Sequence, residues 1–109
     1  MVLKVYTSYY TYKGDNRLDI TVKSGDRSFA PTWKMVLKSK KGLMSEEKYT
    51  REYYEMMRKS YAQNRERWEQ LLGQEEVVLV CFCGRDKFCH RHLLKEILVK
   101  LGAQDMGEI

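Results

Sequence analysis

The segment Val77 to Cys83 is apolar at every position, on both of the alternating sets that a β-strand presents to its two sides. A strand with one wet face alternates. One that is apolar on both sets is covered on both, as happens inside sheets whose strands run parallel. Beyond it, Leu93-Leu94, Ile97-Leu98 and Leu101 recur at helical spacing until Gly102 supplies a stop signal. Met106 to Ile109 can form a last short strand. A strand, a helix of about 12 residues and a second strand suit parallel pairing through a crossover.

The rest of the chain fits around that unit. Val2-Leu3-Lys4-Val5-Tyr6-Thr7 is β-branched and aromatic and reads as a first strand, followed by Ser8, the aromatic run Tyr9-Tyr10-Thr11-Tyr12 and a turn signal at Gly14-Asp15-Asn16. Leu18-Asp19-Ile20-Thr21-Val22 alternates as a second strand and stops at Ser24-Gly25-Asp26. Pro31, the lone proline, opens a short helix carrying Trp33, Val36 and Leu37 up to Gly42. Ser45 with Glu46 and Glu47 is an N-cap with acid in the first turn. One long amphipathic helix is expected from there to Gly73, its Tyr49, Tyr53, Met56, Met57, Tyr61, Trp68, Leu71 and Leu72 facing the core. The expectation is a single α/β domain over residues 1–109, a small mainly parallel sheet with helices on both faces.

With 43% apolar residues in 109 positions there is enough for one core. No apolar run approaches a membrane span, and the first residues lack the pattern of a secretory signal, so a cytoplasmic protein without a membrane partner is expected. Three cysteines, an odd number, argue against a secreted disulfide framework. The net charge of +5 is uneven: residues 1–43 hold nine Lys/Arg against three Asp, and residues 44–109 hold eleven against twelve acids. A basic first half can form a nucleic-acid or anion face, but ordinary surface lysine gives the same numbers.

All three cysteines and both histidines fall in Cys81-Phe82-Cys83-Gly84-Arg85-Asp86-Lys87-Phe88-Cys89-His90-Arg91-His92, the link between the buried strand and the last helix. In parallel sheets ligands bind beyond the carboxyl ends of the strands, which here brings Thr7-Ser8-Tyr9, Thr21 to Lys23 and Cys83 to Arg91 together. Three readings of the link compete. The plainest takes Cys81 as a small buried hydrophobe and His90 and Arg91 as surface residues. The second is a zinc site from Cys81, Cys83, Cys89 and His90 or His92, although the spacing lacks paired Cys-x2-Cys knuckles. The third is an anion or thiol site, in which Gly84, Arg85, Lys87 and Arg91 at a helix start hold a phosphate and Cys89 has thiolate character. The Cys-x5-Arg loop of thiol phosphatases is absent: Cys83 leads to Cys89 and Cys81 to Lys87.

The segment Leu79-Val80-Cys81-Phe82-Cys83, then Cys89-His90-Arg91-His92-Leu93-Leu94, resembles the signature of the family known as domain of unknown function 488. Members typically show Leu-Cys-Phe-Glu, a short loop, and Cys-His-Arg with two apolar residues opening a helix. Cys81, Cys89, His90 and Arg91 match, whereas Cys83 stands where the acidic residue is usual. Val5-Tyr6-Thr7 is similar to the family's opening strand, and Phe29-Ala30-Pro31-Thr32-Trp33 to a small branch of it. The resemblance implies a Rossmann-like α/β fold and no established activity or cofactor.

The leading expectation is a strand-end pocket for a phosphate-bearing or nucleotide-like ligand. Cys89, His90 and Arg91 form its reactive centre, Cys89 being the nucleophile if there is turnover. Thr7, Ser8, Lys23, Cys83 and Arg85 contact the ligand, and no residue is assigned to a metal. The alternatives are a non-enzymatic nucleic-acid or regulatory module using the basic first half, and the zinc site.

Overall fold

The computed structural model describes residues 2–82 and 88–109. Cys83, Arg85 and the rest of residues 83–87, on which two of the expected ligand contacts fall, lie outside them. Among the described residues the chain forms β1 (Lys4–Tyr9), β2 (Arg17–Asp19), α1 (Trp33–Lys40), α2 (Glu46–Gln63), α3 (Arg65–Leu72), β3 (Glu76–Cys81), α4 (His90–Lys100) and β4 (Gln104–Glu108). The strands make one sheet in the order β2-β3-β1-β4, and every pairing is parallel. The protein is thus an α/β domain built on a parallel sheet, as the covered strand at Val77 requires. No helix among the described residues is long and apolar enough to cross a membrane.

β3 takes a central place because it has no polar side to show to water: Val77 through Cys81 are all buried. The side chains of Val77 and Leu79 join Val5 of β1 and Leu3 just before it in a core with Tyr53, Met57, Trp68, Leu94 and Leu98 from the helices. Val78 and Val80, of the other parity, are fully buried outside that cluster.

β1 and β2 run parallel although only residues 10–16 join them, where parallel strands usually need a dozen residues or more. Register explains how so short a link suffices. Tyr9 lies level with Cys81 and Arg17 level with Val78, so the chain steps back three residues while passing over one strand. That is roughly 10 Å along the sheet and 10 Å across it, about 14 Å in all. Seven extended residues span about 24 Å, so the link reaches with slack for a turn. Tyr10 at its start stacks on Phe82, with ring centroids 4.1 Å apart, and the Arg17 guanidinium lies over the Tyr10 ring, 4.5 Å from its centroid.

The long helix expected from Ser45 to Gly73 is two. Ser45 caps α2 as anticipated, accepting from the Lys48 N–H at 3.1 Å. At Asn64 the backbone leaves helical geometry (φ −121°, ψ 39°) and α3 begins. Tertiary contacts reward the break: the Trp68 indole N–H donates to Ser60 Oγ at 3.0 Å, and Ser60 in turn donates to the Ser28 carbonyl at 2.7 Å. Trp68 is fully buried, its ring edge-on to both Phe29 and Tyr61. Apolar spacing continues through Asn64, so periodicity alone does not reveal the bend.

Candidate functional site

Alternation along β3 sends the Cys81 side chain to the same side as Val77 and Leu79, toward α4. The chain then returns so that Cys89 occupies the N-cap of α4 and His90 and Arg91 open its first turn. Ser, Thr, Asp and Asn are the preferred N-caps. Here the Cys89 sulfur turns to the interior instead, where Cys81 Sγ and Cys89 Sγ lie 3.9 and 3.8 Å from His90 Nδ1. All three residues are buried, with exposures of 5%, 3% and 4%.

The other ring nitrogen fixes the histidine. His90 Nε2 lies 2.5 Å from the Ile20 carbonyl, an acceptor with no proton to give, so Nε2 carries the hydrogen. In the neutral ring Nδ1 then presents its lone pair to the two sulfurs. A tight turn holds that carbonyl in place. The Asp19 carboxylate accepts from the Thr21 N–H at 2.8 Å and the Ser24 hydroxyl at 2.6 Å, and the Gly25 N–H bonds the Thr21 carbonyl at 2.9 Å. Partial burial raises the Asp19 pKa, but the Ser24 and Thr21 bonds outweigh it and leave it below the usual carboxylate value. Gly25 is demanded by close approach: a Cβ there would sit 2.4 Å from the Thr21 nitrogen and 2.5 Å from its oxygen.

Arg91 lies beside Cys89 and reaches on to β4. It is 0% exposed, and its Nη2 donates to Glu108 Oε2 at 3.0 Å. Glu108, on β4, also accepts from the Thr7 hydroxyl on β1. Burial lowers the Arg91 pKa, yet the hydrogen bond to Glu108 and the nearby Cys89 and Glu108 charges leave it raised overall. For Glu108, burial pushes the pKa up and the Thr7 and Arg91 bonds more than reverse it, holding it below the ordinary value. Arg91 therefore ties the start of α4 to the ends of β1 and β4.

A cavity of about 160 Å³ opens on the thiol side, lined by Cys81, Cys89 and His90 together with Val22, Ser39 and Lys40. Tyr49 and Phe88, in edge contact with each other, close another wall. Tyr53 lies behind His90 at 5.7 Å between centroids. Its hydroxyl donates to the Phe29 carbonyl, and burial, then the neighbouring Tyr49, Cys89 and Cys81, push its pKa far above 10, so it serves as a neutral wall. A second hollow of about 400 Å³ shares Val22 and is lined by Lys23, Gly25, Arg27 and Trp33.

Of the residues singled out in the sequence, Cys89 and His90 meet at the cavity, with Cys81 beside them. Arg91 adjoins them, with Cys89 on one side of it and, through Glu108, Thr7 on the other. Ser8, on the opposite parity to Thr7, donates to the Ile109 carbonyl, and Lys23 is exposed at the second hollow. Glu108 and the Ile20 carbonyl were not singled out: one lies in a short, weakly patterned strand, and a backbone oxygen leaves no trace in a sequence. Lys38 and Lys40 lie in the last turn of α1 and Lys41 caps it, where cations favour the helix dipole.

A parallel α/β domain whose strand ends carry a buried Cys-Cys-His group beside an arginine-led helix start defines the class. The chain belongs to the domain of unknown function 488 family: the family model described as the active DUF488-N3 subclade matches residues 2–102. No curated protein and no solved structure matches the chain.

Proposed function

We propose that the strand-end cavity binds a phosphate-bearing, nucleotide-like ligand, with Cys89 and His90 at its inner end. The observation that carries this reading is the cavity at the start of α4, where helix N–H groups, the dipole and Lys40 all favour an anion next to two reactive side chains. The adjoining hollow supports the nucleotide-like part: Lys23 and Arg27 add positive charge, and Trp33 offers an exposed flat ring within reach of a ligand passing Val22. Arg91 acts as a positioning residue in this reading, holding the helix start through Glu108 and Thr7.

The test is a calorimetric titration with nucleoside monophosphates, the parent nucleosides and single-stranded oligonucleotides. Phosphate-dependent binding that weakens about tenfold in Lys40→Ala, as loss of one charge-assisted contact of ~1.4 kcal/mol requires, supports the pocket. Binding of the oligonucleotides alone, falling steeply with salt and lost when Lys38, Lys40 and Lys41 are neutralised, favours a nucleic-acid surface instead. Equal affinity for nucleosides and their monophosphates refutes the role given to the phosphate.

A further inference from the structure

The geometry of Cys81, Cys89 and His90 points to a metal: we propose that the three side chains form a site for one soft divalent ion of the zinc class. This goes beyond the ligand reading and does not depend on it. Their donor atoms lie within 4.8 Å of one another and all three residues are buried. In a tetrahedral zinc centre with Zn–S of about 2.3 Å and Zn–N of about 2.0–2.1 Å, a sulfur and a nitrogen stand ~3.6 Å apart. The observed 3.8 and 3.9 Å from His90 Nδ1 to the two sulfurs need a few tenths of an ångström of closure, and the sulfurs, within 4.8 Å of each other, need about 1 Å at most to reach the ~3.8 Å of a tetrahedral pair.

The histidine is arranged as a ligand should be. Its Nε2–H is held by the Ile20 carbonyl, which fixes the ring and leaves Nδ1 as the nitrogen able to coordinate. A backbone carbonyl on the distal nitrogen is the usual outer partner of a metal-bound imidazole. Charge also balances. Two thiolates, a neutral imidazole and a divalent cation sum to zero, so the occupied group would carry no net charge of its own. Two sulfurs and one nitrogen select zinc over magnesium or calcium, which prefer oxygen.

Among the described residues the donors are three, and the cavity lined by these same residues is where an exchangeable ligand would meet the ion. On this assignment Cys89 is a ligand, and nucleophilic attack by its sulfur is suppressed while the ion is bound.

The experiment uses tag-free protein, reduced, stripped with chelator, equilibrated with zinc chloride and freed of excess by gel filtration. Elemental analysis is expected to find about one zinc per chain. Cobalt in its place should give the intense visible bands of a tetrahedral site and a sulfur-to-cobalt charge-transfer band. Cys89→Ser is the informative variant because serine is itself a good N-cap, so α4 should persist while the soft donor is lost. Its zinc dissociation constant, by competition with a coloured chelator, is expected to rise more than about 100-fold, and His90→Gln likewise. Zinc should also shield the wild-type thiols from alkylation until chelator is added. Less than about 0.2 zinc per chain, or undiminished zinc affinity in folded Cys89→Ser, overturns the assignment. Neither readout involves a phosphate-bearing ligand, so the pocket proposal and this one can fail separately.

Discussion

Replacing Glu108 by glutamine removes a charge from the Arg91 cluster while keeping its shape. Arg91 is fully buried and Glu108 is 18% exposed at its side chain, so the pair is well shielded from water. Removing one partner of a fully buried ion pair costs about 3–5 kcal/mol. The partial exposure of Glu108, and the acceptor oxygen that glutamine keeps, reduce that to about 2–3 kcal/mol. In a domain of this size each kcal/mol moves the melting temperature by roughly 4 °C, so Glu108→Gln should melt about 8–12 °C below the parent protein at neutral pH. The pH dependence has a definite sign. The Glu108 pKa is depressed by folding, so its stabilisation is complete above the ordinary carboxylate pKa and is lost as pH falls through the lower folded value. Thermal denaturation by circular dichroism across the acidic range should therefore show the two proteins converging at low pH and keeping a constant gap above about pH 5. A variant within about 2 °C of the parent at neutral pH, or a gap that survives in strong acid, would refute the account of Arg91 as an anchored positioning residue.

Two further outcomes follow from the same structure. Gly25→Ala places a methyl group 2.4 Å from the Thr21 nitrogen, and since only backbone can yield, the turn that presents the Ile20 carbonyl must open. A loss of about 1–3 kcal/mol in urea unfolding is expected, with weaker zinc binding if the metal assignment holds; an unchanged midpoint would show that the turn is not tight. Tyr54 should ionise at about 12, because burial and its 2.7 Å hydrogen bond to the Glu96 carboxylate both oppose the phenolate. Glu96→Gln should bring it down in a near-ultraviolet titration, and an identical curve would assign the shift to burial alone.

How much could be read without coordinates depended on whether the cause was local. The covered strand at Val77, the stop at Gly102 and the serine cap at Ser45 each carry their physical reason within a few residues, and each appears in the fold at the expected place. The pairing of Cys89 and His90 followed from their place at a helix start. The inclusion of Cys81 rests on strand alternation, which the sequence contained but which also fits a packing cysteine. What could not be read is long-range. Asn64 bends the helix because Trp68 finds Ser60, and nothing in the amphipathic pattern announces that bond. Arg91 is anchored by Glu108 on β4, seventeen positions away in the chain. The turn signal at Gly14-Asp15-Asn16 between β1 and β2 likewise does not say that β3 will lie between them.

The register of β1 has a consequence for how the chain acquires its shape. Lys4 is aligned with Glu76 on one flank and with Gln104 on the other, so the earliest strand has no neighbour until most of the polypeptide exists. Pairings over such separations are entropically slow to close, and a ribbon with both edges open invites wrong partners meanwhile. During synthesis the thiol and arginine clusters would thus be among the last features to assemble, and crowding or heat should harm nascent chains well before it harms finished ones.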